Sequence, residues 1–102
     1  MKLVVITGAI HFDEQIEKIL DKSGVGIYSR SNISGHRKGE ESDLSESWFA
    51  VSNGYQDSVM FFAFTPKENA KQVMDTVNAF NETLTSNSPI RVFILSVDNH
   101  NL

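Results

Sequence analysis

The stretch VMFFAF at residues 59–64 decides how this chain can fold. Side chains alternate between the two faces of a β-strand, so this run is apolar on both of its faces. One face carries Val59, Phe61 and Ala63, and the other carries Met60, Phe62 and Phe64. A strand with this pattern is normally buried on both sides.

Two other stretches have the same property. The run LVVI at residues 3–6 has no polar side, and both alternating sets of residues 90–97 are mainly apolar. The chain offers only two helices, which can cover one face of a sheet. We therefore expect other copies of the chain to cover the second face and predict an obligate oligomer. The alternative is that the second helix or the segment 34–57 covers this face within one chain.

The order of the remaining elements predicts the fold class. Strands are expected at residues 2–7, 25–33, 58–64 and 90–97, and helices at residues 12–22 and 67–84. Apolar residues at helical spacing predict the buried side of each helix. For the first helix they are Ile16, Ile19 and Leu20, and for the second Ala70, Val73, Met74, Val77, Phe80 and Leu84.

The boundaries of the helices also have sequence signals. Gly24 and Gly26 are expected to end the first helix. Residues 65–68, TPKE, predict a capping box with Pro66 at the first helical position of the second helix. The order β-α-β-β-α-β predicts a ferredoxin-like α+β sandwich, with a four-stranded antiparallel sheet and two helices on one face. We expect one domain over residues 1–102.

Composition excludes several classes of function. The net charge of −4 opposes binding to nucleic acid, which needs a basic surface. The absence of cysteine excludes disulfides and thiolate chemistry. No stretch has the length of a signal peptide or of a membrane span, so direct membrane insertion is not expected. A cytoplasmic protein is the interpretation that fits these features.

A polar loop contains the first candidate binding site. Gly35, His36, Arg37, Lys38 and Gly39 form a compact cationic segment that could hold an anionic effector. Acidic residues follow within 40–46 and could meet a partner or a hard cation. The alternative is that these charges belong to an ordinary solvated loop. The aromatic pair at 48–49 could anchor a partner, or it could pack at the sheet edge or between subunits.

This loop and the strand before it bring a family resemblance into view. YSRSNISGHRKG at residues 28–39 resembles the second strand and T-loop base of PII-type signalling proteins. Gly35, Lys38 and Gly39 match the motif of that loop. The later strand, helix and last strand are similar to PII elements in order and spacing. The divalent-cation-tolerance (CutA-type) proteins share this architecture.

The resemblance implies a homotrimer whose three sheets face inward. It also implies an effector site in the clefts between subunits and a partner protein, such as a membrane transporter, that contacts residues 34–57. The side chains expected in the subunit interface are Met60, Phe62, Phe64, Phe93 and Leu95.

The chain departs from the PII pattern at the nucleotide site. Arg37 stands where the loop-base Gln is expected, and TSNSP at residues 85–89 replaces a Gly-rich turn that wraps phosphate. The sequence ends at Leu102 without the family's C-terminal arginines. The usual site for ATP and 2-oxoglutarate is therefore not expected, and the cofactor stays unidentified.

Three functions are compatible with these observations. A PII-like regulator or sensor is the leading interpretation. A CutA-like metal-binding protein, linked to metal tolerance or efflux, is the second, with His36 and His100 as candidate ligands and His11 as the remaining histidine. No two of these histidines have the spacing that fixes a pair of ligands.

The third interpretation is a small monooxygenase or isomerase of the same fold class. Its candidate residues are His11, Tyr28, Tyr55 and Asp57. Their spacing supplies neither a nucleophile with its base nor a pair of catalytic carboxylates. We therefore expect that the chain is not an enzyme.

Overall fold

In the described residues, a four-stranded antiparallel sheet is covered on one face by two helices. The computed structural model describes residues 1–36, 55–85 and 88–102, and of residues 55 and 56 only the backbone. The elements are β1 (Lys2–Ala9), a 3-10 helix (Ile10–Phe12), α1 (Asp13–Lys22), β2 (Ser29–His36), β3 (Tyr55–Thr65), α2 (Lys67–Glu82) and β4 (Arg91–Ser96). The strand order is β2-β3-β1-β4, with every pairing antiparallel. The predicted ferredoxin-like fold is confirmed.

The pairing of β2 with β3 runs further than the sequence predicted. Ser34 is paired with Asp57, and His36 with Tyr55, so both ends of the expected 34–57 loop belong to strands. Polar composition was misleading there because strands pair through backbone groups, and polar side chains at a sheet edge do not oppose that pairing. Residues 37–54, which include Trp48 and Phe49, lie outside the described residues.

The start of β2 was also predicted wrongly. After α1, Gly24 adopts a left-handed conformation with φ of 75°. This conformation favours glycine, and a Cβ here would lie 2.9 Å from the side-chain Nδ2 of Asn69, which would have to move. Val25 is buried, and β2 begins only at Ser29, after a four-residue connection over 25–28.

The second helix begins at Lys67, within a residue of the predicted position, but the capping box is wrong. Pro66 is the N-cap residue and no side chain caps the helix. Thr65 is the last residue of β3 and is buried, so it belongs to the sheet. The fixed φ of proline remains suited to this helix start.

The core lies between the sheet and the helices. The buried residues of α1 are the predicted Ile16, Ile19 and Leu20. Those of α2 are Ala70, Val73 and Val77, while Phe80 is partly buried against the same core. Phe12 closes one side of this core with its ring edge against Phe80, at a centroid distance of 5.7 Å.

A single side chain joins the end of α2 to the start of β4. The side-chain Nδ2 of Asn81 donates to the carbonyl oxygen of Ile90 at 2.8 Å. The Oδ1 of the same side chain accepts from the Ile90 backbone N–H at 2.9 Å. Both backbone groups of Ile90 are therefore bonded to the helix. Ile90 itself is fully buried at the edge of the core.

Candidate functional site

The face of the sheet that the helices leave open carries rows of apolar side chains. Directly paired residues in antiparallel strands point to the same side, so the register defines these rows. The first row contains Phe64, Leu3 and Leu95, and the second contains Phe62, Val5 and Phe93. Met60 follows in the third row, beside Thr7.

All five predicted interface residues therefore lie on one face: Met60, Phe62, Phe64, Phe93 and Leu95. Four residues of this set are exposed. Phe62, Phe64, Phe93 and Leu95 expose 36%, 47%, 45% and 47% of their surface, respectively. Leu3 and Val5 in the central strand are half-buried beneath them. We call these residues, Leu3, Val5, Met60, Phe62, Phe64, Phe93 and Leu95, the open apolar face. Their role as an interface stays a prediction.

The open apolar face ends at a polar boundary. In the third row, Thr7 is paired with Arg91 on one side and with Met60 on the other. Ser58 follows opposite Ala9, and both Thr7 and Ser58 are buried. Along β2, Ser29 is paired with Phe62 and Ser31 with Met60, so the face is apolar over β3, β1 and β4 and polar at the β2 edge.

The predicted ligand-binding segment begins at this polar end of the sheet. Gly35 is buried within β2, and His36 is the exposed last residue of that strand. Arg37, Lys38 and Gly39 lie outside the described residues. The structure thus places the first part of the candidate site on a paired strand, while the binding role of the whole segment stays a prediction.

A small cavity of about 180 Å³ lies beside the same end of β2 and β3. Its lining residues are Ile10, Asn32, Ile33, Ser34, Asp57 and Ser58. Ile10 approaches the two strands because the chain turns into the 3-10 helix after β1. Sequence reasoning missed Asn32 and Ser34 as lining residues, since nothing in their spacing shows that Ile10 comes near them. The mixed lining could accept a small polar molecule.

The histidines are distributed over both ends of the sheet. His11 lies just beyond the end of β1, and His36 is the last residue of β2, at the same end of the sheet. His100 follows β4, which leaves the sheet beside Lys2 at the opposite end. Its Nδ1 accepts a hydrogen bond from the Leu102 backbone N–H at 3.2 Å. Among the described residues, no three His, Cys, Asp or Glu side chains are grouped to hold a metal ion.

Among the candidate catalytic residues, Tyr28 lies apart from Asp57, and the side chain of Tyr55 lies outside the described part of the chain. Tyr28 lies before the start of β2, with its ring 5.6 Å from that of Phe61. Asp57 lies toward the other end of the β2–β3 pair, and the ring of His11 packs against Phe12 at 4.2 Å. The arrangement supplies no acid–base pair between Tyr28 and Asp57. Neither of the two described helices is long and apolar enough to cross a membrane.

Comparisons with known proteins identify structures similar to this fold. CPII, a nitrogen regulatory PII-like protein from Thiomonas intermedia K12 solved with ADP, AMP and bicarbonate, matches 98% of this chain and 94% of its own at 22% identity, with a TM-score of 0.62. A DUF3240 family protein from Shewanella baltica OS155 matches 99% of this chain and 93% of its own at 15% identity, with a TM-score of 0.67.

A third similar structure is a putative PII-like signalling protein from Thermus thermophilus. It matches 91% of this chain and 82% of its own at 13% identity, with a TM-score of 0.62. No protein-family model matches the chain, and no curated protein matches it. Identities this low establish the fold alone. The resemblance to PII-like proteins is thereby confirmed at the level of the fold, over nearly the whole chain.

Proposed function

We propose that the protein is a PII-like regulator that assembles into a homotrimer and responds to a small effector bound between subunits. The observation that supports this most strongly is the open apolar face on a chain with the PII-like fold. Contiguous apolar surfaces of this kind usually mark an interaction site. A second and a third copy of the chain are the partners that we propose for it.

The energetics of the open apolar face favour assembly. Burying one exposed Phe or Leu side chain contributes roughly 1.5–3 kcal/mol. Phe62, Phe64 and Phe93 are each only partly covered within the chain, so much of that contribution is still to be gained. The backbone that carries these residues is already ordered by strand pairing, so assembly need not order it again.

The effector is proposed to be a small anion or anionic molecule. The structure of CPII contains ADP, AMP and bicarbonate, all of which are anionic near neutral pH. In this chain the cationic segment at 35–39 would meet such a ligand, beginning with His36 at the end of β2. A partner protein, such as a membrane transporter, would then contact the residues between β2 and β3.

The assembly is tested by light scattering at micromolar concentration. We expect a mass three times that of the 11.4 kDa chain. Phe93→Asp places a charge on the open apolar face and should yield monomers, whereas Gln72→Asp on the outer face of α2 should not change the mass. A monomeric wild-type protein would overturn the proposal, and a stable dimer would favour the enzyme-type relatives of this fold.

The sensor role is tested by thermal shift. Binding to the folded state raises the melting temperature, so titration with ADP, AMP, bicarbonate, zinc and copper should identify a stabilising class of ligand. Replacing Arg37 to Ser42 by Gly-Gly should abolish that response and leave the mass of the assembly unchanged. If no ligand shifts the melting temperature, the sensor role is rejected. If the deletion dissociates the assembly, the segment is structural and residues 35–39 are not an effector site.

A further inference from the structure

The sheet is too small to form the proposed assembly by itself. With strands about 4.8 Å apart and residues rising about 3.4 Å, one face of a four-stranded sheet of eight-residue strands has a projected area of roughly 500 Å², which bounds the accessible surface that it can bury only approximately. A stable interface takes about 800 Å² from each partner, and each subunit of a ring forms two interfaces. The interface must therefore extend beyond the sheet.

Ile27 is the exposed apolar residue best placed to extend it. It exposes 88% of its surface, more than any other large apolar residue in the described part of the chain. β2 begins at Ser29, which is paired with Phe62, so Ile27 lies just before the paired part of the strand. The ring of Tyr28 lies near that of Phe61 on the covered side, so we expect the preceding residue in an extended chain to face the open side, near the row of Leu95, Leu3 and Phe64.

The chain on both sides of Ile27 is anchored. Val25 is buried in the core, and the ring of Tyr28 packs near that of Phe61 at a centroid distance of 5.6 Å. Ile27 thus lies between two residues that pack against the protein, with Gly26 separating it from Val25. Anchoring of this kind lowers the entropy that must be lost when a partner covers the side chain.

We propose that Ile27 is an intersubunit contact that a second copy of this chain buries, as an extension of the open apolar face across the β2 edge. This inference rests on the proposed assembly. The other exposed apolar residues outside the sheet are less well placed. Met1 and Leu102 are terminal residues, and Ile10 lies beyond the polar end of the face, next to Asp57 and Ser58.

The experiment compares Ile27→Asp with Ile10→Asp in the full-length chain. Both variants replace an exposed isoleucine by an acid, at opposite ends of the sheet. Mass photometry or sedimentation over a dilution series measures the concentration at which half of the assembly dissociates. We expect Ile27→Asp to raise this concentration at least tenfold and Ile10→Asp to leave it within about twofold of wild type. Ile27→Asp should leave the circular dichroism and urea unfolding of the dissociated chain close to those of wild type because Ile27 is 88% exposed, whereas Ile10→Asp should lose some stability because Ile10 is only 36% exposed.

The outcomes separate this inference from the proposal on which it rests. A wild-type protein that is monomeric overturns both. If the wild-type protein assembles, and the Ile27→Asp variant dissociates no more readily than the Ile10→Asp variant, only the role of Ile27 is overturned. Should Ile27→Asp lower the stability of the dissociated chain relative to wild type, Ile27→Ala provides the second measurement. An unchanged dissociation concentration in that variant also overturns the contact.

Discussion

The two sides of the sheet have similar side chains and different environments. Phe61 faces the helices and is fully buried, whereas Phe62, its neighbour in β3, exposes 36% of its surface. Val4 and Val5 in β1 differ in the same way. A strand that is apolar on both faces therefore indicates that both faces of the sheet are to be buried. Which face is buried within the chain depends on where the helices pack.

The largest effect is expected when the two phenylalanines are compared directly. Phe61→Ala opens a cavity in the core and should lower the free energy of unfolding by about 3–5 kcal/mol at every protein concentration. Phe62→Ala should have a smaller effect on the isolated chain and should weaken the assembly, so that its effect depends on protein concentration. Urea unfolding at several concentrations measures both.

An equal loss of unfolding free energy in both variants, independent of protein concentration, would contradict this prediction. It would mean that the open apolar face is covered within one chain, which is the alternative that the sequence left open. Phe93→Ala, on the neighbouring edge of the same face, should behave like Phe62→Ala and serves as the internal check.

A smaller effect is expected at the perimeter of the covered side. Asn81→Ala removes both hydrogen bonds to Ile90 and leaves backbone groups of a buried residue without these partners. The free energy of unfolding should fall by about 1–3 kcal/mol. Asn78→Ala, on the exposed surface of the same helix, is the matched control and should change it by less than about 0.5 kcal/mol. Equal losses would show that the Asn81 contacts contribute nothing specific.

The smallest effect is expected at the ion pair between α1 and β2. The guanidinium Nη2 of Arg30 lies 3.1 Å from Asp13 Oδ2, and the two side chains are about one-third exposed, 33% and 35%. Arg30→Gln should cost less than about 1 kcal/mol because solvent screens the pair. The cost should shrink further in 1 M salt. A loss that does not depend on salt would point to packing of the Arg30 stem against the covered side instead of charge.

Sequence patterns predicted the fold because its determinants are periodic. Apolar spacing alone predicts the buried residues Ile16, Ile19 and Leu20 and the strands that are apolar on both faces. Both features are present. The ends of β2 and β3 were missed because edge pairing depends on backbone partners that polar side chains do not reveal. Thr65 failed as a cap because its burial depends on the position of β3 in the sheet.

The candidate site was predictable only in part. The five proposed interface residues share one face because strand alternation forces them to, once the helices occupy the other. Ile27 had no such signal, since it lies in the connection before β2, whose start the sequence did not predict. The cavity beside Ile10 depends on a change of chain direction that no residue spacing encodes.

The two hydrogen bonds between the Asn81 side chain and the Ile90 backbone help to fix the position of β4 independently of the connection that precedes it. A helix side chain bonds both backbone groups of the residue before the strand, as a neighbouring strand would. The connection over 83–89 therefore does not have to align β4 with the sheet by itself. Lengthening a loop has a low entropic cost. We therefore expect insertions in this connection to leave the position of β4 unchanged. In a chain of this size, that connection is where a new specificity could evolve without a change in the fold.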